Sequence, residues 1–390
     1  AVFDPNPIEQ FPAVATVSPD AVLRQLHGKR GFHEEHILSG KLGEGSYGSV
    51  YLATHVRDGD EVAVKVMDLR HSSSAERRRP GAVQRQRKAI TREVTLLRLA
   101  AGSPYVVGFV DLFVERGLAY VLLEKCEQSL LQHLESIPKL REWSLKPVLR
   151  SMMRGIAAVH NLGITHRDIK PDNFLFHQGH VKLCDFGLGC QSSAPNRFEL
   201  TGMVGTPAFM APEMLSGEPY SSHVDVWSFG VIAYILCFGR YPYEPAKLTG
   251  RSMIAAIEAG SPSPSYRPQD KRLQSVSHAA VRFIRALLCR RPGWRLTASQ
   301  TLQHKFLEDS ADRDAVDADE TSLRPMLVSA KRIGAFSPHG GCHVSRGPSH
   351  IDVRLSSLQE KHHKISTKGD ADWSESTRAE SSSCLSSVSS

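Results

Sequence analysis

Two short motifs lie close together near the middle of this chain of 390 residues. His166-Arg167-Asp168 comes first, and Asp185-Phe186-Gly187 begins 17 residues after Asp168. Lys170 and Asn173 lie in the stretch between them. Transfer of a phosphoryl group from ATP requires a carboxylate at the acceptor hydroxyl, a cation at the γ-phosphate and oxygen ligands for Mg²⁺. The two motifs supply these groups in order, so we expect a compact phosphoryl-transfer site around them.

Five further motifs flank this pair. They are a glycine-rich segment at 42–50, Val62-Ala63-Val64-Lys65, Ala211-Pro212-Glu213, the segment 225–230 and Arg295. A glycine-rich segment alone is a weak signal, because dinucleotide-binding folds also use one. Seven motifs in this order, however, resemble the eukaryotic protein kinase family, and the resemblance extends over residues 36–308.

The resemblance also indicates a type. Lys170, two residues after Asp168, is typical of serine/threonine kinases, and Gly205-Thr206-Pro207 agrees with that type. The segments 295–298 and 302–307 resemble the calcium/calmodulin-dependent kinase group. The family implies an α+β, bilobal protein kinase fold, with a small β-rich N-lobe that carries helix C and a larger α-helical C-lobe. Strand-like alternation before residue 65 and helical periodicity after residue 129 favour the same order.

We expect three parts along the chain. They are an N-terminal extension (1–35), a kinase domain (36–308, with its N-lobe at 36–124 and its C-lobe at 127–308), and a tail (309–390). The tail begins with an acidic linker, which lacks the glycine of a calcium-binding loop. The tail is expected to be mostly disordered: beyond Gly369 it is serine-rich and has too little apolar surface to offset the entropy of ordering.

The family resemblance implies an ATP-binding cleft. The expected nucleotide contacts are Leu42, Gly43, Gly45, Gly48, Val50, Ala63, Lys65, Glu124, Cys126 and Leu175. The glycines would let the backbone approach the phosphates without a Cβ. Val50, Ala63 and Leu175 would enclose the adenine, with simple core packing as the alternative. Glu124 and Cys126 would form the hinge, whose backbone bonds the adenine.

Six residues are expected to carry the chemistry. Asp168, Lys170, Lys65 and Glu93 are predicted to be catalytic, and Asn173 and Asp185 are predicted to bind Mg²⁺. Asp168 would act as the base, Lys170 would neutralise the γ-phosphate, and oxygen ligands suit a hard cation. Lys65 is a charge within an apolar strand and needs a partner. Glu93, at the start of a periodic helix, is the predicted partner, and Glu76 is the alternative.

Several more residues are expected to support this array. His166 and Phe186 would pack with Leu97 and Phe109 between the lobes. Asp225 would anchor the catalytic loop, and Thr206 would contact Asp168 and Lys170. Glu213 would form an ion pair with Arg295. Cys184 has two interpretations, a reactive thiol beside the nucleotide or a small buried residue.

Protein substrates with serine or threonine hydroxyls are the expected partners. Ser192, Ser193 and Thr201 are candidate phosphorylation sites for an upstream kinase, with Thr201 favoured, because Arg167 would pair with a phosphate there. The basic insert at 70–88 is expected to be a solvated loop or a docking site for an acidic partner or a phosphate. The segment 324–336 would fold onto the kinase lobe or bind calmodulin.

Composition excludes other classes. The net charge is +7, but no basic stripe with interleaved aromatic residues appears, so we expect no nucleic-acid partner. No apolar run reaches the 18 residues of a membrane span. Seven scattered cysteines favour a reducing compartment, so the expected location is cytoplasmic, with nuclear as the alternative.

Two other functions are compatible with parts of the sequence. A pseudokinase scaffold would typically lack Lys65, Asp168, Asn173 or Asp185, and all four are present. A small-molecule kinase is disfavoured by the segment 205–213, which builds a peptide-docking surface in the family.

Overall fold

The structure, a computed structural model, describes residues 31–45, 48–69, 82–192, 198–268, 276–308 and 322–337. Several predictions concern residues outside these ranges. They are the N-terminal extension up to 30, the tip of the glycine-rich segment at 46–47, the basic insert up to 81 with Glu76, Ser193, the acidic segment at 309–320 and the tail after 337.

A five-stranded antiparallel sheet forms the N-terminal part of the fold. Its strands are β1 (His36–Gly45), β2 (Gly48–His55), β3 (Glu61–Asp68), β4 (Phe109–Glu115) and β5 (Leu118–Glu124), in the order β1-β2-β3-β5-β4. The predicted strand at 106–114 is shifted, because Val106 instead makes an isolated bridge to Leu183. The sheet has apolar side chains buried on both faces and requires a layer on each side.

Two helices accompany this sheet. Helix α1 (Phe32–Glu35) precedes β1, and its fully buried Phe32 ring stacks on Tyr120 with 4.3 Å between ring centroids. The packed unit therefore begins before the predicted boundary at residue 36. Helix α2 (Ala82–Leu99) is the predicted helix C, and it begins inside the predicted basic insert. Its buried residues Val94 and Leu97 face the core.

Helices dominate the rest of the described chain. They are α3 (Leu130–Ser136), α4 (Glu142–Asn161), α5 (Pro212–Leu215), α6 (His223–Phe238), α7 (Gly250–Ala259), α8 (His278–Leu287), α9 (Ala298–Leu302) and α10 (Arg324–Arg332). Every residue of α6 is buried, so this apolar helix forms the centre of the C-lobe. None of the helices in the described ranges is both long and apolar enough to cross a membrane.

Short strands lie just before α3 and between α4 and α5. Strands β6 (Gln128–Ser129), β8 (Phe174–His177) and β9 (His180–Leu183) form one small sheet in the order β6-β8-β9, and β7 (Ile164–Thr165) pairs with β10 (Cys190–Gln191). The sheet-rich part followed by the helical part confirms the predicted α+β, bilobal protein kinase fold.

Helix α10 packs onto the C-lobe, which is the first of the two alternatives for the segment 324–336. Leu323 and Leu327 are buried in the main core, and the Arg324 guanidinium donates to the backbone oxygens of Leu134 and Ile137 at the end of α3. The packed unit thus extends past residue 308, where the kinase domain was predicted to end. The reason is the apolar spacing of α10, which gives the helix a face to bury.

Candidate active site

One face of the N-lobe sheet gathers four of the predicted nucleotide contacts. In the β-sheet register Gly43 lies opposite Val50, and Val50 lies opposite Lys65. Ala63 is two residues before Lys65 on β3, and residues two apart on a strand share a face. Val50 and Ala63 are half-buried, whereas Lys65 is only 3% exposed. The face is therefore apolar with one buried cation at its inner end.

Four more of the predicted contacts lie on β1, β2 and β8. Leu42 is 53% exposed, and Leu175 is half-buried on β8. Gly45 and Gly48 are the closing pair of β1 and β2. A Cβ at Gly48 would come within 2.3 Å of the Val66 carbonyl oxygen, so close strand packing also requires glycine there.

Lys65 lies between two carboxylates. Its Nζ is 2.5 Å from Glu93 Oε1 and 2.7 Å from Asp185 Oδ1. Burial acts to lower the pKa of Lys65, but the charges of Asp185 and Glu93 outweigh it and the pKa is raised. Burial acts to raise the pKa of Asp185, yet Lys65 holds it well below its ordinary range. Burial and the charge of Asp185 raise the pKa of Glu93. The predicted pairing of Lys65 with Glu93 is confirmed.

The catalytic loop forms a second buried group. Asp168 Oδ2 is 2.9 Å from Lys170 Nζ, and the Thr206 hydroxyl donates to Asp168 Oδ1 over 2.8 Å. Lys170 Nζ also donates to the Thr206 hydroxyl over 3.3 Å, so the predicted contacts of Thr206 are confirmed. The Asn173 amide nitrogen donates to the Asp168 backbone oxygen over 2.7 Å. Only the carbonyl oxygen of the Asn173 side chain can therefore serve as a metal ligand.

Asp225 anchors the backbone of this loop through hydrogen bonds. Its carboxylate accepts hydrogen bonds from the backbone N–H groups of His166 and Arg167, each over 2.8 Å, and also bonds His160 Nε2 at 2.8 Å. Burial acts to raise the pKa of Asp225, but the hydrogen bond and charge of His160 outweigh it and lower the pKa. Arg167 and Asp185 both have left-handed backbone φ angles, at 66° and 61°. Such strained residues persist where the surroundings fix them, and the predicted anchoring role of Asp225 is confirmed.

The aromatic residues of the two motifs pack against each other. The rings of His166 and Phe186 meet edge to face with 5.1 Å between centroids, and His166 Nε2 lies 3.0 Å from the Cys184 carbonyl oxygen. Leu97 and Phe186 belong to the same buried cluster, and half-buried Phe109 packs against it. Cys184 is half-buried, and burial raises the pKa of its thiol well above its ordinary value, which argues against a reactive thiolate.

Glu213 and Arg295 form a buried bidentate ion pair. Arg295 Nη1 lies 2.6 Å from Glu213 Oε1, and Nη2 lies 3.1 Å from Oε2. Arg295 Nη1 also donates to the His223 backbone oxygen over 2.8 Å, and the guanidinium lies 5.0 Å from the centre of the Trp227 ring. The predicted pair is confirmed. It connects Glu213, at the end of the segment that follows Asp185, to the core of the C-lobe.

The hinge contains an ion pair that the sequence reasoning missed. Lys182 Nζ lies 2.7 Å from Glu124 Oε1 and 2.8 Å from Oε2. Lys182 interrupts the apolar residues of β9, and a charge in such a strand was the signal that could have found it. Cys126 is half-buried, and burial together with the Glu124 charge raises the pKa of its thiol to about 12.

Thr201 is exposed, and its backbone is held by Tyr220. The Tyr220 hydroxyl donates to the backbone oxygens of Thr201 and Gly202 over 3.2 and 2.8 Å. The Arg167 guanidinium donates to the same hydroxyl over 3.4 Å. Arg167 and Thr201 thus share one bonding partner.

A buried lysine between two carboxylates, together with a loop that gathers Asp168, Lys170 and Asn173, is typical of a protein kinase. Residues 37–307 match the family model described as the protein kinase domain. The chain therefore belongs to the eukaryotic protein kinases of the serine/threonine type.

Named relatives agree with this family. Serine/threonine-protein kinase PAK 4 of Homo sapiens is 35% identical over 272 residues, which cover 68% of this chain and 42% of the relative. Serine/threonine-protein kinase STE20 of Candida glabrata is 30% identical over 293 residues, covering 75% of this chain and 29% of the relative. The phosphorylase b kinase gamma catalytic chain, liver/testis isoform, of Bos taurus is 29% identical over 300 residues, covering 75% and 71%.

These relatives also set the scope of the match. The chain spans about a third of the length of the STE20 and PAK 5 relatives, 29% and 34%. The relatives carry several different kinase names, so the similarity to the calcium/calmodulin-dependent group stays a prediction.

Proposed function

We propose that this chain transfers the γ-phosphate of ATP to serine and threonine hydroxyls of proteins. The observation that carries the proposal is the buried group of Asp168, Lys170 and Thr206, whose side chains lie within 3.3 Å of one another. A substrate hydroxyl entering this group would meet the Asp168 carboxylate as its proton acceptor. Lys170 would neutralise negative charge on the group being transferred.

ATP fits the N-lobe face described above. The half-buried apolar residues Val50, Ala63 and Leu175 suit a flat aromatic base, and the Lys65 ammonium suits the phosphates. Glu93 would keep Lys65 in place while phosphates approach. The backbone of Glu124 and Cys126 would bond the adenine edge. Gly43, Gly45 and Gly48 would let the β1–β2 turn approach the phosphates.

Mg²⁺ fits the two predicted ligands. The Asn173 amide nitrogen is bonded to Asp168, so its carbonyl oxygen is the group offered to a cation. Asp185 adds a carboxylate whose pKa is held low by Lys65, so it remains ionised at neutral pH. Both are oxygen donors, which a hard cation prefers. The ion would neutralise charge on the phosphates.

Phosphorylation of Thr201 by an upstream kinase is the proposed activating event. Thr201 is exposed, and its backbone shares Tyr220 with Arg167. A phosphate on Thr201 would therefore be close to a guanidinium that can bind it in a bidentate manner. Thr201→Ala should lower the rate of a phosphorylated enzyme, and an unchanged rate would remove this role.

The test uses the full chain, labelled ATP and a generic basic protein as acceptor. We expect transfer to serine and threonine, and loss of about 10²- to 10⁴-fold in kcat for Asp168→Asn, because general base catalysis contributes that much. Asp58→Asn, the same substitution at a side chain that is 54% exposed, is the matched control and should retain activity. Binding of ADP without any transfer by the wild type would refute the enzyme and favour the pseudokinase scaffold.

A further inference from the structure

We propose that Lys182 is a positioning residue for nucleotide binding, because its ion pair with Glu124 fixes the hinge that the adenine would contact. This inference deepens the proposed function and rests on it. Lys182 would touch neither the nucleotide nor the substrate. It would act through Glu124, whose backbone oxygen is one of the predicted bonding groups of the hinge.

The Glu124 carboxylate joins three separate segments. Glu124 is the last residue of β5 in the N-lobe sheet, whereas Lys182 belongs to β9 in the C-lobe. Lys182 Nζ contacts both carboxylate oxygens, at 2.7 and 2.8 Å. The Gly108 backbone N–H, just before β4, donates to Glu124 Oε1 over 2.6 Å. One side chain of the hinge is therefore bonded to both lobes.

Backbone bonds complete this connection. The Glu124 N–H donates to the Gly108 oxygen over 2.9 Å. On the other side of the same loop, the Val107 N–H donates to the Leu183 oxygen over 2.9 Å, and the Leu183 N–H donates to the Tyr105 oxygen over 2.8 Å. The loop 105–108 is thus held by the hinge and by β9 at once. Lys182 closes the cycle, so the hinge cannot move relative to β9 without breaking a bidentate ion pair.

The pair lies next to the predicted adenine pocket. In the β8–β9 register Lys182 is directly opposite Leu175, and opposed residues of antiparallel strands project to the same face. Leu175 is the predicted floor of that pocket. Burial is the main cause of the raised pKa of the Cys126 thiol. The charge of Glu124 raises this pKa further, whereas the charge of Lys182 lowers it. The backbone of Cys126 is the second predicted bonding group of the hinge.

Partial burial makes this pair different from a surface ion pair. The side chains of Lys182 and Glu124 are 9% and 23% exposed. Without Lys182, the Glu124 carboxylate would keep the Gly108 N–H and a distant His177 ring nitrogen at 3.9 Å. Truncating one partner of a desolvated, hydrogen-bonded pair is expensive, because the other charge is left unpaired. We therefore expect the hinge to lose its fixed geometry.

The residue after Glu124 provides a matched control. Lys125 pairs with Glu61, and these side chains are 38% and 45% exposed. Exposed ion pairs contribute little because water screens the charges. Lys125→Met removes the same charge near the hinge without removing a buried pair.

The experiment measures ADP binding by calorimetry and steady-state kinetics in ATP, with the full chain. Lys182→Met should raise the Kd of ADP and the KM of ATP by about tenfold, which corresponds to about 1.4 kcal/mol. The kcat at saturating ATP should change by less than about threefold, because the groups around Asp168 are not touched. Lys182→Arg keeps a bidentate cation and should stay within about threefold of wild type, as should Lys125→Met.

Binding of inorganic tripolyphosphate separates a hinge effect from general damage to the fold. It should be unchanged in Lys182→Met, since Lys65 and its partners are intact. Unchanged ADP affinity in Lys182→Met, an equal loss in Lys182→Arg, or an equal loss of tripolyphosphate binding would each overturn the inference. Failure of the proposed function gives a different result: a wild type that binds ADP but transfers no phosphate refutes the kinase reaction, while the ADP comparison still decides the role of Lys182.

Discussion

The ion pair of Glu213 and Arg295 provides a direct test of how the C-lobe is held together. The two residues are 6% and 3% exposed, and two hydrogen bonds of 2.6 and 3.1 Å join them. Glu213→Gln keeps the size of the side chain, but it removes the charge and replaces one of the two acceptor oxygens with an amide donor. The Arg295 guanidinium then stays buried without a counter-charge, because its other acceptors are the neutral backbone oxygens of His223 and Cys289.

The expected loss follows from this environment. Removing one partner of a buried ion pair costs about 3–5 kcal/mol. The glutamine oxygen can still accept one bond from Arg295, so we expect about 3 kcal/mol, the lower end of that range. Such a loss is a large share of the 5–15 kcal/mol that a domain typically has. Arg295→Lys should also destabilise, since lysine cannot form the two parallel bonds of the guanidinium.

Urea unfolding followed by fluorescence measures the loss. Glu135→Gln is the matched control, because Glu135 pairs with Lys331 at side-chain exposures of 41% and 46%. This exposed pair should contribute less than about 1 kcal/mol. If Glu213→Gln and Glu135→Gln lower the free energy of unfolding equally, the buried pair does not have the role that its geometry assigns.

Asp225→Asn should lower both stability and kcat, because the amide has one oxygen to accept a backbone bond of the catalytic loop and its NH2 group faces the other N–H. Urea unfolding and kinetics measure both effects, and an unchanged kcat would contradict the anchoring role. Stability should fall as the pH drops from about 6.5 to about 4, since burial and the charge of Arg295 lower the pKa of His223 to about 4 and the unfolded state binds more protons in that window. His223→Gln should flatten this part of the pH profile of unfolding. Leu327→Asp should destabilise by about 3 kcal/mol or more in urea unfolding, because it buries a charge, whereas Val328→Asp, at a residue 48% exposed on the same helix, should have little effect; equal losses would show that α10 does not pack as described.

The grouping of the polar side chains around Asp168 could be predicted from the sequence because they are close in the chain. Asp168, Lys170 and Asn173 fall within one short loop, and Asp185 follows a single strand pair. The motif thus fixes both the residue types and their distances. The pairing of Lys65 with Glu93 spans 28 residues, and it was predictable because a buried ammonium needs a carboxylate on the facing helix.

Other features depend on contacts between distant residues that carry no motif. Lys182 and Glu124 are 58 residues apart, and the local sequence around each one does not indicate the other as its partner. Phe32 reaches its place by stacking on Tyr120, far along the chain. Helix α2 begins at Ala82, where residues such as Arg85 and Arg87 show no apolar periodicity. Arginine and glutamine are nevertheless good helix formers. The helix therefore includes a polar stretch for which the sequence favoured a loop.

The position of α10 has a practical consequence for anyone who shortens this protein. A fragment ending at residue 308, the edge suggested by the sequence motifs, would lose Leu323 and Leu327 and leave their apolar seat on the C-lobe open to water. An exposed apolar surface of this kind promotes association between copies and lowers the yield of protein. Cleavage between 309 and 321 would have the opposite outcome, because the two pieces would remain attached through the helix and co-purify.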